Sequence, residues 1–168
     1  MSGATSILQH TLERPPGLIE CQSVLDIGAG VRPMAWYKTA CHVCVEPYGP
    51  YVDVLRAAGY TVMQLSALES LSLMIASRES IEAIYLLDVI EHMEKDDGAE
   101  VLRLATQLAS VQVVVFTPNG FKEQTIDAWG YGGDEWQTHR SGWTIEDFPG
   151  WDVTIVPERG ALFAVWTR

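Results

Sequence analysis

The string Ser23-Val24-Leu25-Asp26-Ile27-Gly28-Ala29-Gly30 constrains this chain more than any other feature. A short apolar run closed by a glycine pair reads as a buried strand entering a sharp turn. The same grammar recurs downstream. His42–Glu46 is a second strand, with Pro47, Gly49 and Pro50 marking the turn after it. Residues 51–58 read as a helix with Val52, Leu55 and Ala58 on one side and Gly59 as its C-terminal cap. Tyr60–Leu65 is a third strand, and residues 67–76 carry Leu68, Leu71 and Ile75 at helical spacing. Ile81–Leu87 is a fourth strand. A helix capped by Asp96 or Asp97 follows, with Val101, Leu102, Ala105, Leu108 and Ala109 on its apolar face. Val111–Phe116 is a fifth strand, stopped by Pro118 and Gly120. Trp151–Val156 and Ala161–Trp166, joined by Pro157–Gly160, form an antiparallel hairpin.

Strands alternating with helices predict an α/β, Rossmann-like, doubly wound sheet. It is mostly parallel, of about seven strands, with helices on both faces and the antiparallel hairpin at the C-terminal end. The 168 residues suit one domain. Residues 1–22 are a preamble in which Ile7, Leu8 and Leu12 suggest a short helix before the break at Arg14-Pro15-Pro16-Gly17. In such sheets ligands lie at the carboxyl ends of the strands, near the switch in strand order.

Charge narrows the function. With 22 acidic and 11 basic residues, the formal charge is −11. That opposes a phosphate-clamping nucleic-acid surface and an anionic membrane surface. No apolar run approaches the ~20 residues of a spanning helix, and the N-terminus lacks a secretory pattern. Three cysteines without disulfide rhythm fit a reducing, cytoplasmic setting. Cys41-His42-Val43-Cys44 is a lone CxxC whose thiols point to opposite faces of a strand, which disfavours a zinc site. His10, His42, His92 and His139 show no metal-ligand spacing, so no metal is inferred.

The turn itself opposes two ligands. Val31-Arg32-Pro33 stands where a phosphate-cradling loop needs Gly-Lys-Ser/Thr. Pro33 also occupies the place of the third small residue of a dinucleotide fingerprint, so a ligand without a pyrophosphate is expected. Glu46, 16 residues after Gly30, is placed to accept hydrogen bonds from ribose hydroxyls; a solvated acid before a proline turn is the plainer reading. Asp88, after an apolar strand, is expected at the cleft edge or as a helix cap.

Val24–Gly30, Val45-Glu46-Pro47 and Leu87-Asp88-Val89-Ile90-Glu91-His92, in this order, resemble the class I S-adenosylmethionine-dependent methyltransferases. The resemblance implies that Asp26, Gly28, Ala29 and Gly30 surround the methionine part of S-adenosyl-L-methionine. It implies that Glu46 holds the ribose and that Pro47 or Tyr48 borders the adenine. Ser66 and Ala67 fall where many members carry an acid and a small residue; the acid is absent here. Asp88 and Val89 would line the cofactor, with His92 close by.

Residues 121–150, rich in aromatics and glycines, follow the fifth strand and are expected to reach over the cleft as a substrate loop. His139 is expected as a base or orienter near the acceptor, and Asp134 or Glu135 as a group that binds or polarises it. The alternative for the aromatics is packing onto the sheet. The string from Thr138 to Trp143 with Glu146-Asp147-Phe148 is similar to strings in small methyltransferases of glycans and secondary products. The expected reaction is methyl transfer to oxygen, less readily nitrogen, of a small molecule or glycan. A structured RNA held with a separate partner, a non-catalytic scaffold subunit that keeps the fold, and a nicotinamide dehydrogenase are the alternatives. The sequence sets no oligomeric state.

Overall fold

The computed structural model describes residues 12–168, so the helix expected around Ile7 and Leu8 lies outside the described residues. In chain order the elements are β1 (Ser23–Ile27), β2 (Cys41–Val45), α1 (Gly49–Ala57), β3 (Thr61–Met63), α2 (Ala67–Ala76) and β4 (Ile81–Leu87). They continue with α3 (Lys95–Leu108), β5 (Ala109–Pro118), α4 (Asp134–Gln137), β6 (Asp152–Val156) and β7 (Ala161–Thr167). The strands form one sheet in the order β3-β2-β1-β4-β5-β7-β6. β1 pairs in parallel with both β2 and β4, placing Asp26 beside Cys44 and Tyr85. β7 runs antiparallel to β5 and to β6, as the expected hairpin requires. Strand order reverses between β1 and β4, and that is where a crevice opens at the carboxyl ends.

Period-two alternation divides the core between the two faces. Leu25, Ile27, Ile84, Leu86, Val113 and Val115 pack against Leu71 of α2 and Val101, Ala105 and Leu108 of α3. Val24, Tyr85, Val114, Phe116 and Phe163 point the other way. Both faces carry helices, but unevenly. The second face has α1 at its β2–β3 end, where Leu55 packs on Cys44. The rest is covered by irregular chain: Leu12, Leu18 and Cys21 from the preamble, and Met34, Trp36 and Tyr37 from the β1–β2 connection. That connection contains no helix. Trp36 fills the helix's place, with its ring 5.1 Å from Tyr85 and its indole N–H donating to the Leu12 carbonyl at 2.9 Å. The buried Gln112 side chain ties down the preamble by bonding both the amide and the carbonyl of Ile19, at 3.0 and 2.6 Å.

Two local expectations are corrected. Asp96 and Asp97 do not cap α3; the helix starts two to three residues earlier, after Glu94, and both acids sit in its first turn. There they meet the positive end of the helix dipole without a capping bond. Glu46 lies one residue beyond β2 rather than within it. The remaining boundaries shift by no more than two residues, mainly because β5 extends at both ends to pair with β4 and β7. No described helix is long and apolar enough to cross a membrane.

Candidate functional site

A cavity of about 310 Å³ opens at the carboxyl ends of β1, β2 and β4, within the size range of small-molecule sites. Its fixed wall comes from the turns after the strands: Gly28, Glu46, Pro47, Ser66 and Ala67 on one side, Asp88, Val89 and His92 on the other. Its second wall comes from the long β5–β6 segment, through Glu135, Trp136, Gln137 and Arg140. The sequence-selected strand ends and the aromatic segment therefore meet around one space.

The turn after β1 depends on a missing side chain. Gly28 has φ of +66°, and a Cβ there would lie 2.6 Å from a Val89 methyl. The turn and the end of β4 thus close onto each other at this point. Gly28 and Ala29 donate to the Val45 carbonyl at 2.8 and 3.3 Å, locking the turn to β2.

Glu46 is 5% exposed. One carboxylate oxygen accepts from the Gly30 amide and the other from the Tyr48 amide, each at 3.0 Å. Burial outweighs these bonds and pushes the carboxyl up to about 7. Each oxygen keeps a free lone pair for a ligand hydroxyl. Asp26 is buried beneath the turn, where it accepts from the Met34 amide at 3.0 Å and meets His42 Nε2 at 3.1 Å. Its role there is to hold the turn, and it does not form part of the cavity wall. Ala29, Gly30 and Tyr48 also stand behind the wall; the Tyr48 hydroxyl donates to the Tyr131 carbonyl at 2.8 Å. Ser66 lines the cavity, but its hydroxyl is engaged with Glu69 in the capping box of α2.

At the far side, Asp88 adopts φ of +54°, which turns the chain sharply out of β4. Glu91 lies just beyond it and is 2% exposed. One Glu91 oxygen accepts from the Thr117 hydroxyl at 3.0 Å, and the other has no hydrogen-bond partner. Burial, and then the charge of Asp88, hold the Glu91 carboxyl well above the usual carboxylate range. Burial lowers His92 to about 4, with His139 adding to the effect, so the ring is neutral at ordinary pH.

The long segment is docked rather than loose. The Glu91 carbonyl accepts from the amides of Arg140 and Ser141, at 2.7 and 3.1 Å. Trp143 is buried, donates to the Ser141 hydroxyl at 2.9 Å and lies under the Lys95 ammonium. Packing is thus the role of Trp143 and Phe148, whereas Trp129, Tyr131 and Trp136 remain exposed. This docking brings the His139 ring to 4.8 Å from that of His92. His139 does not itself form the cavity wall, but its ring meets that of His92, which does, edge to face. Asp134 does not reach the cavity wall; its carboxylate accepts from the Asp127 amide at 2.7 Å.

Sequence reasoning missed three residues. Asp127 is buried, and its carboxylate accepts from the Tyr51 hydroxyl and from the amides of Trp129, Tyr131 and Gly133, at 2.6 to 3.0 Å. An aspartate before a glycine-rich stretch is the available signal for such a turn. Arg140 and Glu91 stand in sequence strings that give them no role of their own. Their importance comes from a contact between segments about 50 residues apart, which no local pattern encodes.

No protein-family model matches the sequence, and no curated protein matches it. Solved structures do match in fold. A SAM-dependent methyltransferase from Archaeoglobus fulgidus superposes with a TM-score of 0.63 at 13% identity, covering 88% of this chain and 86% of that one. An O-methyltransferase family protein from Burkholderia thailandensis gives 0.58 at 9% identity, over 88% of this chain and 51% of that one. The small RNA methyltransferase HEN1 gives 0.57 at 18% identity, over 89% of this chain and 23% of that one. The chain has the Rossmann-like fold of the class I methyltransferases.

Proposed function

We propose that this protein transfers a methyl group from S-adenosyl-L-methionine to an oxygen, less readily a nitrogen, of a small molecule or glycan. The observation that carries this reading is the position of Glu46: a buried carboxylate with free lone pairs, on the cavity wall, beside the glycine turn. In this reading it accepts the two ribose hydroxyls. Pro47 borders the adenine, and Gly28, Asp88 and Val89 lie along the methionine arm. The acidic wall formed by Glu46, Asp88 and Glu135 suits a sulfonium cation.

Little further chemistry is required of the chain. The sulfonium is already a strong electrophile, so orientation of the acceptor in line with the methyl–sulfur bond supplies much of the acceleration, up to ~7–11 kcal/mol. In this reading Trp136 and Arg140, on the cavity wall, hold the acceptor and exclude water, and His139 orients it through His92. Asp134 is assigned to holding the loop, which leaves Glu135 as the acid that faces the acceptor. The fold neighbours include a small RNA methyltransferase, but the net charge of −11 favours the small acceptor.

The test is calorimetry with S-adenosylmethionine and its demethylated product, followed by a mass-spectrometric search of metabolite extracts for a +CH₂ product. Both ligands are expected to bind and Glu46→Ala to weaken both. Undiminished binding by that variant removes the ribose assignment. Binding of neither ligand by the native chain removes the reading and leaves a scaffold role. Titration with reduced nicotinamide cofactor exposes a dehydrogenase.

A further inference from the structure

We propose that Glu91, His92 and His139 form a binding site for one divalent first-row transition-metal cation, bordering the cavity. A Glu91 carboxylate oxygen and one nitrogen from each imidazole lie within 4.8 Å of one another. Proximity alone is a weak argument; the way each group is prepared is stronger.

His139 Nδ1 is 2.6 Å from the Lys122 carbonyl oxygen, and His92 Nδ1 is 3.3 Å from the Thr138 carbonyl oxygen. A carbonyl only accepts, so each Nδ1 carries the proton and each Nε2 presents a lone pair. That is the arrangement of metal-binding histidines, whose other ring nitrogen is fixed by a backbone carbonyl. Glu91 supplies the independent observation. It is 2% exposed, and its free oxygen is the one buried side-chain polar atom among the described residues with no partner. Leaving such an oxygen buried is costly unless a proton, here one shared with the neighbouring Asp88 carboxyl, or a cation that displaces that proton meets it. The site is also rigidly assembled, because the Glu91 carbonyl accepts the amides of Arg140 and Ser141, next to His139.

Two imidazoles and one carboxylate favour zinc, cobalt, iron or manganese over magnesium or calcium, which prefer all-oxygen shells. Bonds of about 2.0–2.2 Å hold donors on one ion within about 4.4 Å of one another, so any pair near the 4.8 Å limit draws together on uptake. Of the three, His92 lies on the cavity wall, so the site borders the cavity. An oxygen of the acceptor would complete the shell there. That role rests on the proposed methyl transfer; uptake of the ion does not.

The test is titration of the tag-free chain with cobalt(II) chloride, read by visible absorption and calorimetry. One equivalent is expected to bind, zinc to displace it and magnesium to bind far more weakly. His139→Ala is expected to lower affinity by about 100-fold or more, beyond the roughly 10–100-fold that loss of an outer partner costs. The His139 ring is half-buried, so this variant is expected to fold, with unchanged thermal unfolding as the check. Glu91→Gln keeps the shape beside Thr117 and is expected to lose affinity as well. No cobalt uptake, or uptake unchanged in His139→Ala, overturns the site; magnesium binding as tightly as cobalt overturns the choice of metal class. Calorimetry with S-adenosylmethionine on the same sample separates the two readings. Cobalt uptake without cofactor binding retires methyl transfer and supports the metal site. Cofactor binding without cobalt uptake does the reverse.

Discussion

The guanidinium of Arg32 lies over the Trp129 ring, 4.6 Å from its centroid, and joins the turn after β1 to the long segment that forms the other cavity wall. Both side chains are exposed, so the contact is worth about 0.5–1 kcal/mol. The contact ties the two cavity walls together, so its loss is expected to be read in ligand binding more than in folding. Arg32→Ala is expected to weaken cofactor binding by about two- to five-fold, the equivalent of that energy. Trp129→Ala is expected to do the same, and the double variant no more than either alone. Calorimetry on the four proteins checks this; full additivity would show that the two residues act separately.

Glu46 gives the site a pH dependence whose sign is opposite to that of a salt-bridged carboxylate. Its folded value is about 7, above the ordinary 4.5, because burial penalises the charge. The unfolded chain releases this proton first. The contribution of Glu46 to the stability of the empty protein is therefore expected to fall by up to about 3 kcal/mol as pH rises from about 4.5 to about 7 and to level off above. The Tyr51 hydroxyl and Cys44 thiol beside it are themselves raised by burial and stay neutral over this range. Ligand affinity runs the other way. Ribose hydroxyls and a sulfonium favour the carboxylate, so S-adenosylmethionine binding is expected to strengthen from pH 6 to pH 8. Glu46→Gln is expected to make both profiles shallower, leaving the slope that the Asp88 and Glu91 carboxyls, also raised by burial, contribute with the same sign; a stability profile unchanged in that variant would assign the whole step to those two groups.

Gly98 sits in α3 at a position where helix propensity and packing disagree. Alanine is favoured over glycine in a helix by about 1 kcal/mol. A Cβ at Gly98, however, would lie 2.5 Å from Cζ2 of Trp143. That ring cannot yield easily, because Ser141 holds its N–H and Lys95 covers its face. Overpacking costs about 1–3 kcal/mol, so the clash wins. Gly98→Ala is expected to destabilise the protein in urea unfolding. A stabilised variant would mean that Trp143 is not fixed.

The difference between what the sequence disclosed and what it hid follows the range of the interactions. β1, α2 and β4 were legible because their apolar periods and glycine or serine boundaries are local. Glu46 and Asp88 were legible as cavity residues because a strand's end fixes where the next side chain goes. The helix-free cover of the second face was not, since Trp36 replaces a helix through contacts with Tyr85, 49 residues away. The histidine pair was hidden for the same reason. His92 and His139 have no useful spacing, and meet only because the Glu91 carbonyl captures the amides after His139. The place of Asp134 was hidden too: its carboxylate accepts the Asp127 amide and stands off the cavity wall, whereas its neighbour Glu135 lines it.

Asp127 is the residue on which the loop's shape most depends. Its carboxylate gathers three amides and the Tyr51 hydroxyl. Burial alone would raise its carboxyl, but these bonds together hold it below the usual range, so it is charged at neutral pH. Truncation strands four donors, and each buried unpaired group costs about 1–3 kcal/mol unless water reaches it. Residues 127–133 lie near the surface, so water is expected to rescue part of the loss by opening the segment. Asp127→Ala is therefore expected to raise amide exchange and protease cleavage in 127–133, with the sheet protected as before. Tyr51→Phe removes one donor and leaves the three amides paired, so its effect is expected to be much smaller. Equal effects from both variants would place the control of the loop in the Tyr51 hydroxyl rather than in the turn that Asp127 closes.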